Sequence, residues 1–214
     1  MTYTHILWDW NGTLLDDVRQ CIIVMNGILS ERGLKTIASD EEYRGLFCFP
    51  VSSYYGKLGF DFSSEPFEEL ARIYIDRYTG CLPSFKLFDG AVDTLRALKH
   101  MGLTQVILSA SEIKSLLSLV DHFGISDYFN AVLGLCDHYA SSKVELAESY
   151  FKQMGIDMAK TLIIGDTIHD FEVAKAIGCG SLLIANGHQD LVSLKKTGSD
   201  VIFSIRDVIS YIGV

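Results

Sequence analysis

The sequence has few of the features that mark secreted, membrane-bound or zinc-binding proteins. Its five cysteines are odd in number, widely scattered and without a CxxC pair, which favours reduced thiols over a disulfide framework or a zinc site. No apolar run approaches the length of a transmembrane helix, and the N-terminus lacks a basic region followed by a long apolar segment. We therefore expect a soluble cytoplasmic protein.

Basic residues are also scarce. The chain has 18 lysines and arginines against 27 acidic residues, so its formal net charge is −9. Because a broad acidic surface repels nucleic acid and anionic lipid, we expect neither as a partner. A small anionic substrate remains compatible with this charge, but its site must then supply a local cation. We expect a monomer or a weak homodimer.

Apolar residues, by contrast, are plentiful and regularly spaced. Hydrophobic residues make up 49% of the 214 residues, enough for one large domain or a domain with a smaller insert. From Phe88 onward, short apolar runs alternate with amphipathic segments that mostly end at a glycine. This alternation predicts an α/β fold, a Rossmann-like parallel sheet with helices on both faces. The predicted strands span 104–109, 131–135, 161–165, 181–185 and 201–203.

Residues 16–84 have a different pattern, which predicts helices and no strand. Apolar residues recur at helical spacing over 16–33 and 65–79, and Pro50 starts a short helix between them. We therefore predict a discontinuous Rossmann-like core, residues 1–15 and 85–214, with an inserted helical cap domain, residues 16–84.

A short apolar run near the N-terminus leads to a carboxylate at a turn. Residues 6–8 predict a buried strand, Asp9 follows it, and Asn11 and Gly12 suit a turn. Residues 14–17 suggest the start of the next helix. An ordinary turn acid or helix cap would also be Asp at such a junction, so Asp9 alone leaves both interpretations open.

Other polar residues follow later predicted strands or begin the helices after them. Ser109 ends the strand at 104–109, Lys143 opens a helix, and Asp166 and Asp170 flank the turn after the strand at 161–165. Each alone suits a strand-end hydroxyl, a solvated lysine or a helix cap. Because parallel strands end at one edge of the sheet, these side chains should converge on Asp9. A carboxylate, a hydroxyl, an ammonium and an acid pair are the groups that phosphoryl transfer requires.

The chain contains, in this order, the segments DWNGTLLD and LSAS, a lone lysine and the segment GDTIHD. Together they resemble the motifs of the haloacid dehalogenase-like hydrolase superfamily. The phosphoglycolate phosphatase-like branch, which has a helical (C1-type) cap after the first motif, is the most similar. The resemblance covers the whole chain. It implies a Mg²⁺-dependent phosphatase that hydrolyses a small phosphorylated metabolite, such as phosphoglycolate or a sugar phosphate, through an aspartyl-phosphate intermediate.

The resemblance also implies a role for each matching residue. Asp9 would attack phosphorus, while Lys143 would neutralise the charge around it. The backbone carbonyl of Asn11 and the carboxylates would hold Mg²⁺, and Asp170 would orient a metal-bound water or pair with Lys143. The implied catalytic residues are Asp9, Asn11, Ser109 and Lys143, the implied metal ligands are Asp9, Asn11, Asp166 and Asp170, and the implied substrate-binding residues are Thr13, Ala110 and Arg44.

The sequence departs from the family's pattern at Asn11, where these phosphatases usually have a second aspartate. That aspartate protonates the leaving oxygen and later activates water, whereas an amide cannot exchange a proton. General acid–base catalysis typically contributes ~10²- to 10⁴-fold. Three interpretations remain open: a slow phosphatase or one whose substrate has a good leaving group, a phosphatase that uses another acid or a water, and a protein that binds phosphorylated ligands with little turnover.

Two other reactions occur in the superfamily. A dehalogenase needs no metal, and the Asp166 and Asp170 pair would repel its carboxylate substrate. A phosphonate-cleaving enzyme needs a cap lysine that forms a Schiff base, and Lys35 and Lys57 are cap lysines without a sign of desolvation. A non-catalytic phospho-ligand binding protein is the alternative outside enzymology.

Substrate specificity is expected in the cap, because the core contacts only the phosphoryl group. Arg44 and Lys57 are candidates for binding a second anionic group of a two- to six-carbon monoester. The cap's aromatic residues suit packing, with part of the cluster as a candidate cover for the substrate, and the loop histidines are expected to be solvated. The aromatic residues are Phe47, Phe49, Tyr54 and Tyr55, and the histidines are His138, His169 and His188.

Overall fold

A six-stranded parallel sheet forms the centre of the protein. The computed structural model describes residues 3–135 and 142–213. Neighbouring strands of the sheet are all parallel, in the order β5-β4-β1-β6-β7-β8, while β2 and β3 form a separate antiparallel ribbon. The strands are β1 (His5–Trp8), β2 (Leu15–Asp16), β3 (Lys86–Leu87), β4 (Thr104–Glu112), β5 (Ala131–Leu135), β6 (Thr161–Gly165), β7 (Gly180–Ile184) and β8 (Asp200–Ile202). The predicted α/β, Rossmann-like fold is confirmed.

Helices cover both faces of the sheet and fill the interval between β2 and β3. They are α1 (Val18–Glu31), α2 (Asp40–Leu46), α3 (Val51–Lys57), α4 (Phe67–Thr79), α5 (Ala91–His100), α6 (Ile113–His122), α7 (Lys143–Met154), α8 (Ile168–Ile177), α9 (Leu191–Lys195) and α10 (Asp207–Gly213). Within residues 3–135 and 142–213, no helix is both long and apolar enough to cross a membrane.

The alternation of side chains along β1 places it between two apolar layers. Ile6 and Trp8 belong to the core cluster on one face, which includes side chains of α5, α6 and α10. Leu7 belongs to the cluster on the other face, together with side chains of α7 and α8. A strand buried on both faces is expected to be apolar throughout, and all three side chains are fully buried. This packing fixes where β1 ends and therefore where Asp9 lies.

Helices α1 to α4, which we call the four-helix segment (Val18–Thr79), have an apolar cluster of their own. It includes Val18, Met25 and Ile28 of α1, Tyr55 of α3 and Leu70 of α4. The segment leaves the sheet through β2 and returns through β3, which pair at Leu15–Leu87 and Asp16–Lys86. The division into a core and a cap, with boundaries at residues 15/16 and 84/85, stays a prediction.

One local prediction was wrong, and one helix was missed. Residues 14–17 do not begin a helix, because Leu15 is fully buried and pairs with Leu87 in the ribbon, so α1 starts only at Val18. Helix α2 was not predicted. Its start is capped by the Ser39 side chain, which accepts from the Glu42 backbone N–H.

Candidate active site

The two central strands of the sheet bring Asp9 and Asp166 together. Strands β1 and β6 pair in parallel with Trp8 opposite Ile164, and the backbone N–H of Asp9 donates to the carbonyl of Ile164 at 2.8 Å. Asp9 is therefore the first residue after β1, and Asp166 is the first residue after the adjacent strand β6. On the other side of β1, regular pairing between β4 and β5 breaks after Leu108, just before Ser109. The predicted convergence of Asp9 and Asp166 is thus seen in the fold. Ser109 was predicted to end its strand but lies within β4, which continues to Glu112 after the irregularity in pairing.

Three carboxylates and one ammonium form the centre of this edge. Asp9, Asp166, Asp170 and Lys143 are all buried, and one carboxylate oxygen of each acid lies within 4.8 Å of the others. Lys143 Nζ donates to Asp9 Oδ1 and, at 2.9 Å, to Asp170 Oδ1. Three acids against one ammonium leave an excess of negative charge inside the protein.

That excess charge changes the acidities of the group. Burial raises the pKa of Asp9, opposed by the Lys143 ammonium and reinforced by the other two acids. Burial also raises the pKa of Asp166, to about 6. For Asp170, burial acts in the same direction, but the charge of Lys143 outweighs it and the pKa is lowered. Bringing a divalent cation to these acids would relieve the repulsion between them.

The acids fit a hard divalent cation. Carboxylate oxygens are the ligands that Mg²⁺ prefers, and Asp9, Asp166 and Asp170 supply them close together. Glycine backbone packs directly against Asp166: a Cβ on Gly12 would lie 2.3 Å from Asp166 Oδ2, and one on Gly187 would lie 2.1 Å from the same atom. Gly12 also has a φ of +74°, which side chains rarely adopt. The chain therefore keeps side chains away from the rim of the acid cluster.

Thr13 and Thr167 donate hydrogen bonds to two of the acids. The fully buried Thr13 hydroxyl donates to Asp166 Oδ1 at 3.0 Å. Asp170 Oδ2 accepts from the backbone N–H and the hydroxyl of Thr167, at 3.1 and 2.8 Å, at the start of α8. Thr13 was predicted to bind substrate, which stays a prediction, and its described hydrogen bond is to Asp166.

Ser109 and Ala110 lie beside Asp9 at the edge of the sheet. Both line the same cavity as Asp9 and Lys143. Ser109 is buried, and its hydroxyl oxygen accepts from the Ser111 backbone N–H at 3.0 Å, which leaves the hydroxyl hydrogen for another acceptor. This arrangement suits the predicted contacts with phosphate oxygens.

Asn11 is held in one orientation by three neighbours. Its Nδ2 donates to Asp17 Oδ2 at 2.8 Å and to the Tyr78 hydroxyl at 2.7 Å, while its Oδ1 accepts from the Ser111 hydroxyl at 2.7 Å. Tyr78 in turn donates to Asp17 Oδ2 at 2.6 Å. The amide at position 11 therefore has a specific partner, a carboxylate six residues further along the chain.

Asp17 also pairs with His188, and sequence reasoning missed both residues. Asp17 was expected to stabilise the first turn of a helix and His188 to be solvated, yet they are 1% and 5% exposed. His188 Nε2 lies 3.3 Å from Asp17 Oδ1, its Nδ1 lies 2.8 Å from the Tyr43 hydroxyl, and its backbone N–H donates to Asp166 Oδ2 at 2.5 Å. No periodicity marks a loop histidine as buried, so the sequence held no signal for it.

The protonation states of this pair follow from its burial. Burial lowers the pKa of His188, but the Asp17 charge and hydrogen bond outweigh it, and the pKa rises to about 9. Burial raises the pKa of Asp17, but His188, Tyr78 and Asn11 together outweigh it, and the pKa is lowered. At neutral pH an imidazolium therefore faces a carboxylate, and the protonated Nδ1 donates to the Tyr43 hydroxyl.

The remaining predicted residues lie elsewhere. The Arg44 guanidinium donates to the backbone carbonyls of Gly187 and Asn186, at 2.8 and 3.3 Å, and Arg44 is absent from the described residues that line the cavity. His169 is half-buried and stacks on Phe49, with ring centroids 4.7 Å apart. His138 lies outside the described residues.

One cavity of about 730 Å³ joins the acid cluster to the four-helix segment. Asp9, Asn11, Ser109 and Lys143 line it at the sheet edge. The aromatic residues predicted to pack in the cap line the other side while also contacting one another: Phe47, Phe49, Tyr54 and Tyr55. A volume of this size is typical of small-molecule sites.

Comparisons with known proteins agree with this geometry. The model of the family described as "Haloacid dehalogenase-like hydrolase" matches residues 6–184. The chain is 25% identical over 192 residues to an N-acetylmuramic acid 6-phosphate phosphatase of Pseudomonas putida, covering 88% of this chain and 85% of that protein. It is 24% identical over 214 residues to phosphoglycolate phosphatase 1 of Pseudomonas aeruginosa, covering 95% and 78%.

Solved structures show the same fold. A haloacid dehalogenase-like family hydrolase from Streptococcus pneumoniae matches with a TM-score of 0.85 and 21% identity over 99% of both chains. Together with the family match, this confirms the resemblance inferred from the four sequence motifs.

Proposed function

The chain belongs to the haloacid dehalogenase-like hydrolase family, and we propose that it is a Mg²⁺-dependent phosphatase that hydrolyses a phosphate monoester through an aspartyl phosphate on Asp9. The observation that best supports this is the buried pairing of Asp9 with Lys143 beside Asp166 and Asp170, in the wall of a cavity of ligand size. Named relatives that are phosphatases support the same reaction class.

In the proposed reaction, a carboxylate oxygen of Asp9 bonds to phosphorus as the bond to the leaving-group oxygen breaks. Lys143 offsets the repulsion between the two anions, and Ser109 with the Ala110 amide binds phosphate oxygens. The leaving oxygen takes a proton from water, because Asn11 has none to give. Water then attacks the aspartyl phosphate, inorganic phosphate leaves, and the Asp9 carboxylate is restored.

Asp9, Asp166, Asp170 and the Asn11 backbone carbonyl would hold the cation. Bound there, Mg²⁺ supplies positive charge that offsets the phosphate dianion and the carboxylates. The side chain of Thr13 and the backbone of His188 orient Asp166 for this role, because each donates to one of its two oxygens. Lys143 orients Asp170 and Asp9 in the same way.

The four-helix segment, within the predicted cap 16–84, would recognise the leaving group. It contributes the aromatic wall of the cavity opposite the acid cluster. Closure over the substrate would also exclude water from Asp9. We propose that the protein works in the cytoplasm as a monomer or weak homodimer.

Two other reactions of the family find less support. The acid cluster would repel the carboxylate of a haloacid. The cap lysines are exposed rather than desolvated: Lys35 pairs with Glu42 at 2.6 Å, and Lys57 donates to the Leu46 carbonyl at 3.2 Å. A phospho-ligand binding protein with little turnover is the second candidate, because Asn11 replaces the usual acid.

The test is phosphate release from p-nitrophenyl phosphate with Mg²⁺. We expect EDTA to abolish release, added Mg²⁺ to restore it, and Asp9→Asn to abolish it, while Asp93→Asn on the exposed face of α5 has no effect. Acid-quenched protein should carry a phosphate on the peptide that contains Asp9. Metal-independent release, or full activity of Asp9→Asn, would contradict the proposal, and binding without any release would favour the binding protein.

A further inference from the structure

The cavity wall opposite the acid cluster is aromatic. Eight aromatic rings of the four-helix segment line the cavity: Tyr43, Phe47, Phe49, Tyr54, Tyr55, Phe67, Tyr74 and Tyr78. Tyr54 and Tyr55 are almost fully buried and pack edge to face, so this wall is a fixed surface rather than a set of loose side chains. A ligand that reaches from Asp9 to this wall meets ring faces and edges.

The charged residues that line the cavity would attract a second anionic group of the ligand only weakly. Among the described residues that line the cavity, Lys143 is bound to Asp9 and Asp170, and His188 is paired with Asp17. Lys114 is exposed at the start of α6, beside Glu112, which also lines the cavity. A leaving group with its own carboxylate, such as that of phosphoglycolate, would meet Glu112 and Asp17 as well as Lys114.

Two buried polar atoms on the wall have no protein partner. Trp10 Nε1 and the Tyr54 hydroxyl make no hydrogen bond within the described residues, although these side chains are 0% and 3% exposed. Leaving such groups unpaired costs free energy, and both residues line the cavity. Neither atom is exposed to the cavity in this structure, so the pair does not define a polar group of the ligand.

We propose that the substrate is a phosphate monoester whose leaving group is uncharged and carries an aromatic ring. This inference rests on the proposed function, because it places the phosphoryl group at Asp9. The ring would pack on the aromatic wall. The amide at Asn11 agrees with this class, since a phenolic oxygen leaves as a stable anion and needs protonation less than an alkoxide does.

The test compares leaving groups of similar acidity and different size. With Mg²⁺, 2-naphthyl phosphate is measured against phenyl phosphate, and 2-phenylethyl phosphate against ethyl phosphate, with phosphoglycolate alongside. We expect kcat/KM to be at least about tenfold higher for the larger member of each pair, because added apolar groups in a fitting pocket give gains of that size. Ratios within about threefold, or a preference for phosphoglycolate, would overturn the inference.

Variants locate the effect. Phe47→Ala should reduce the size preference to about threefold or less, and Phe49→Ala serves if the first variant does not fold. Phe203→Ala, at an exposed residue beyond β8, is the matched control and should keep the preference. Equal effects of the cavity and control variants would also overturn the inference.

Measurements of binding test this inference separately from the proposed phosphatase activity. If no ester is hydrolysed, the phosphatase proposal fails, and calorimetric titration with 2-naphthylmethylphosphonate and methylphosphonate decides the inference alone. An affinity at least about tenfold higher for the naphthyl compound supports the aromatic site. Equal affinities, or binding of neither compound, overturn it.

Discussion

The hydrogen bond between Asn11 and Asp17 determines the protonation state of an acid that is introduced at position 11. In the variant Asn11→Asp, a carboxylate oxygen would replace Nδ2, which lies 2.8 Å from Asp17 Oδ2. At about that separation and an effective dielectric constant of about 20, two full charges repel by roughly 6 kcal/mol, which corresponds to roughly four pKa units. The pair would therefore hold one shared proton at neutral pH.

The shared proton would be hydrogen-bonded to Asp17, so a substrate would have to compete with Asp17 for it. The double variant Asn11→Asp/Asp17→Asn avoids the problem, because the amide at position 17 would donate to the new carboxylate at position 11. We expect the double variant to raise kcat/KM for an alkyl phosphate by about 10²-fold, the lower range of general acid catalysis. Asn11→Asp alone should gain about tenfold or less, and Asp17→Asn alone should gain nothing.

The assay is a series of phosphate esters with leaving groups of decreasing acidity. In the double variant, log kcat/KM should fall less steeply with leaving-group pKa than in the wild type, because the new acid protonates the leaving oxygen. Asp17→Asn also removes the partner of His188, and losing one member of a buried pair costs about 3–5 kcal/mol. The assay temperature is therefore chosen below the melting temperature of every variant. A double variant that is folded yet no faster than wild type on alkyl phosphates would refute the reasoning.

Three further predictions follow from the site. Lys143→Met should reduce kcat by at least about 10²-fold and destabilise the fold, because it leaves buried acids without a counter-ion; phosphate release and thermal melting check this. Gly12→Ala should lower both stability and Mg²⁺ affinity, since its Cβ would lie 2.3 Å from Asp166 Oδ2 at a φ of +74°. Thermal melting with and without Mg²⁺ measures both effects. Gly33→Ala is the control, because Gly33 also has a positive φ but has open space around it. The raised pKa of His188, from 6.5 to about 9, contributes stability below pH 6.5 that is lost as pH rises through 9. The loss should be roughly 3 kcal/mol in denaturant unfolding, and a His188→Gln variant with the same slope over that window would exclude this origin.

The sheet and the ends of its strands were predictable from the sequence because their signals are local. The predicted strands at 131–135 and 161–165 match β5 and β6 residue for residue. Each is a short apolar run followed by polar residues, and parallel topology then brings the polar residues together. Asp9, Asp166 and Lys143 could be found in this way because they stand at such junctions.

The partners of Asn11 could not be found in this way. Tyr78 lies 67 residues from Asn11 in sequence, and Ser111 lies 100 residues away. Tyr78 has the spacing of an apolar helix position, so its hydroxyl carries no separate signal. His188 lies in a loop, where only the packing of the four-helix segment against the sheet edge decides whether it is buried. Contacts of this kind depend on the tertiary fold rather than on local patterns.

The ribbon of β2 and β3 limits how the four-helix segment can move. The outgoing and returning chains lie side by side, joined at Leu15–Leu87 and Asp16–Lys86, and the Phe88 N–H donates to the Leu14 carbonyl at 3.0 Å. Two paired tethers resist twisting and sliding but permit bending across their common width. The four-helix segment would therefore rotate about a single hinge axis. Substitutions that break the pairing of β2 with β3 would change the direction of that rotation while leaving the residues around Asp9 in place.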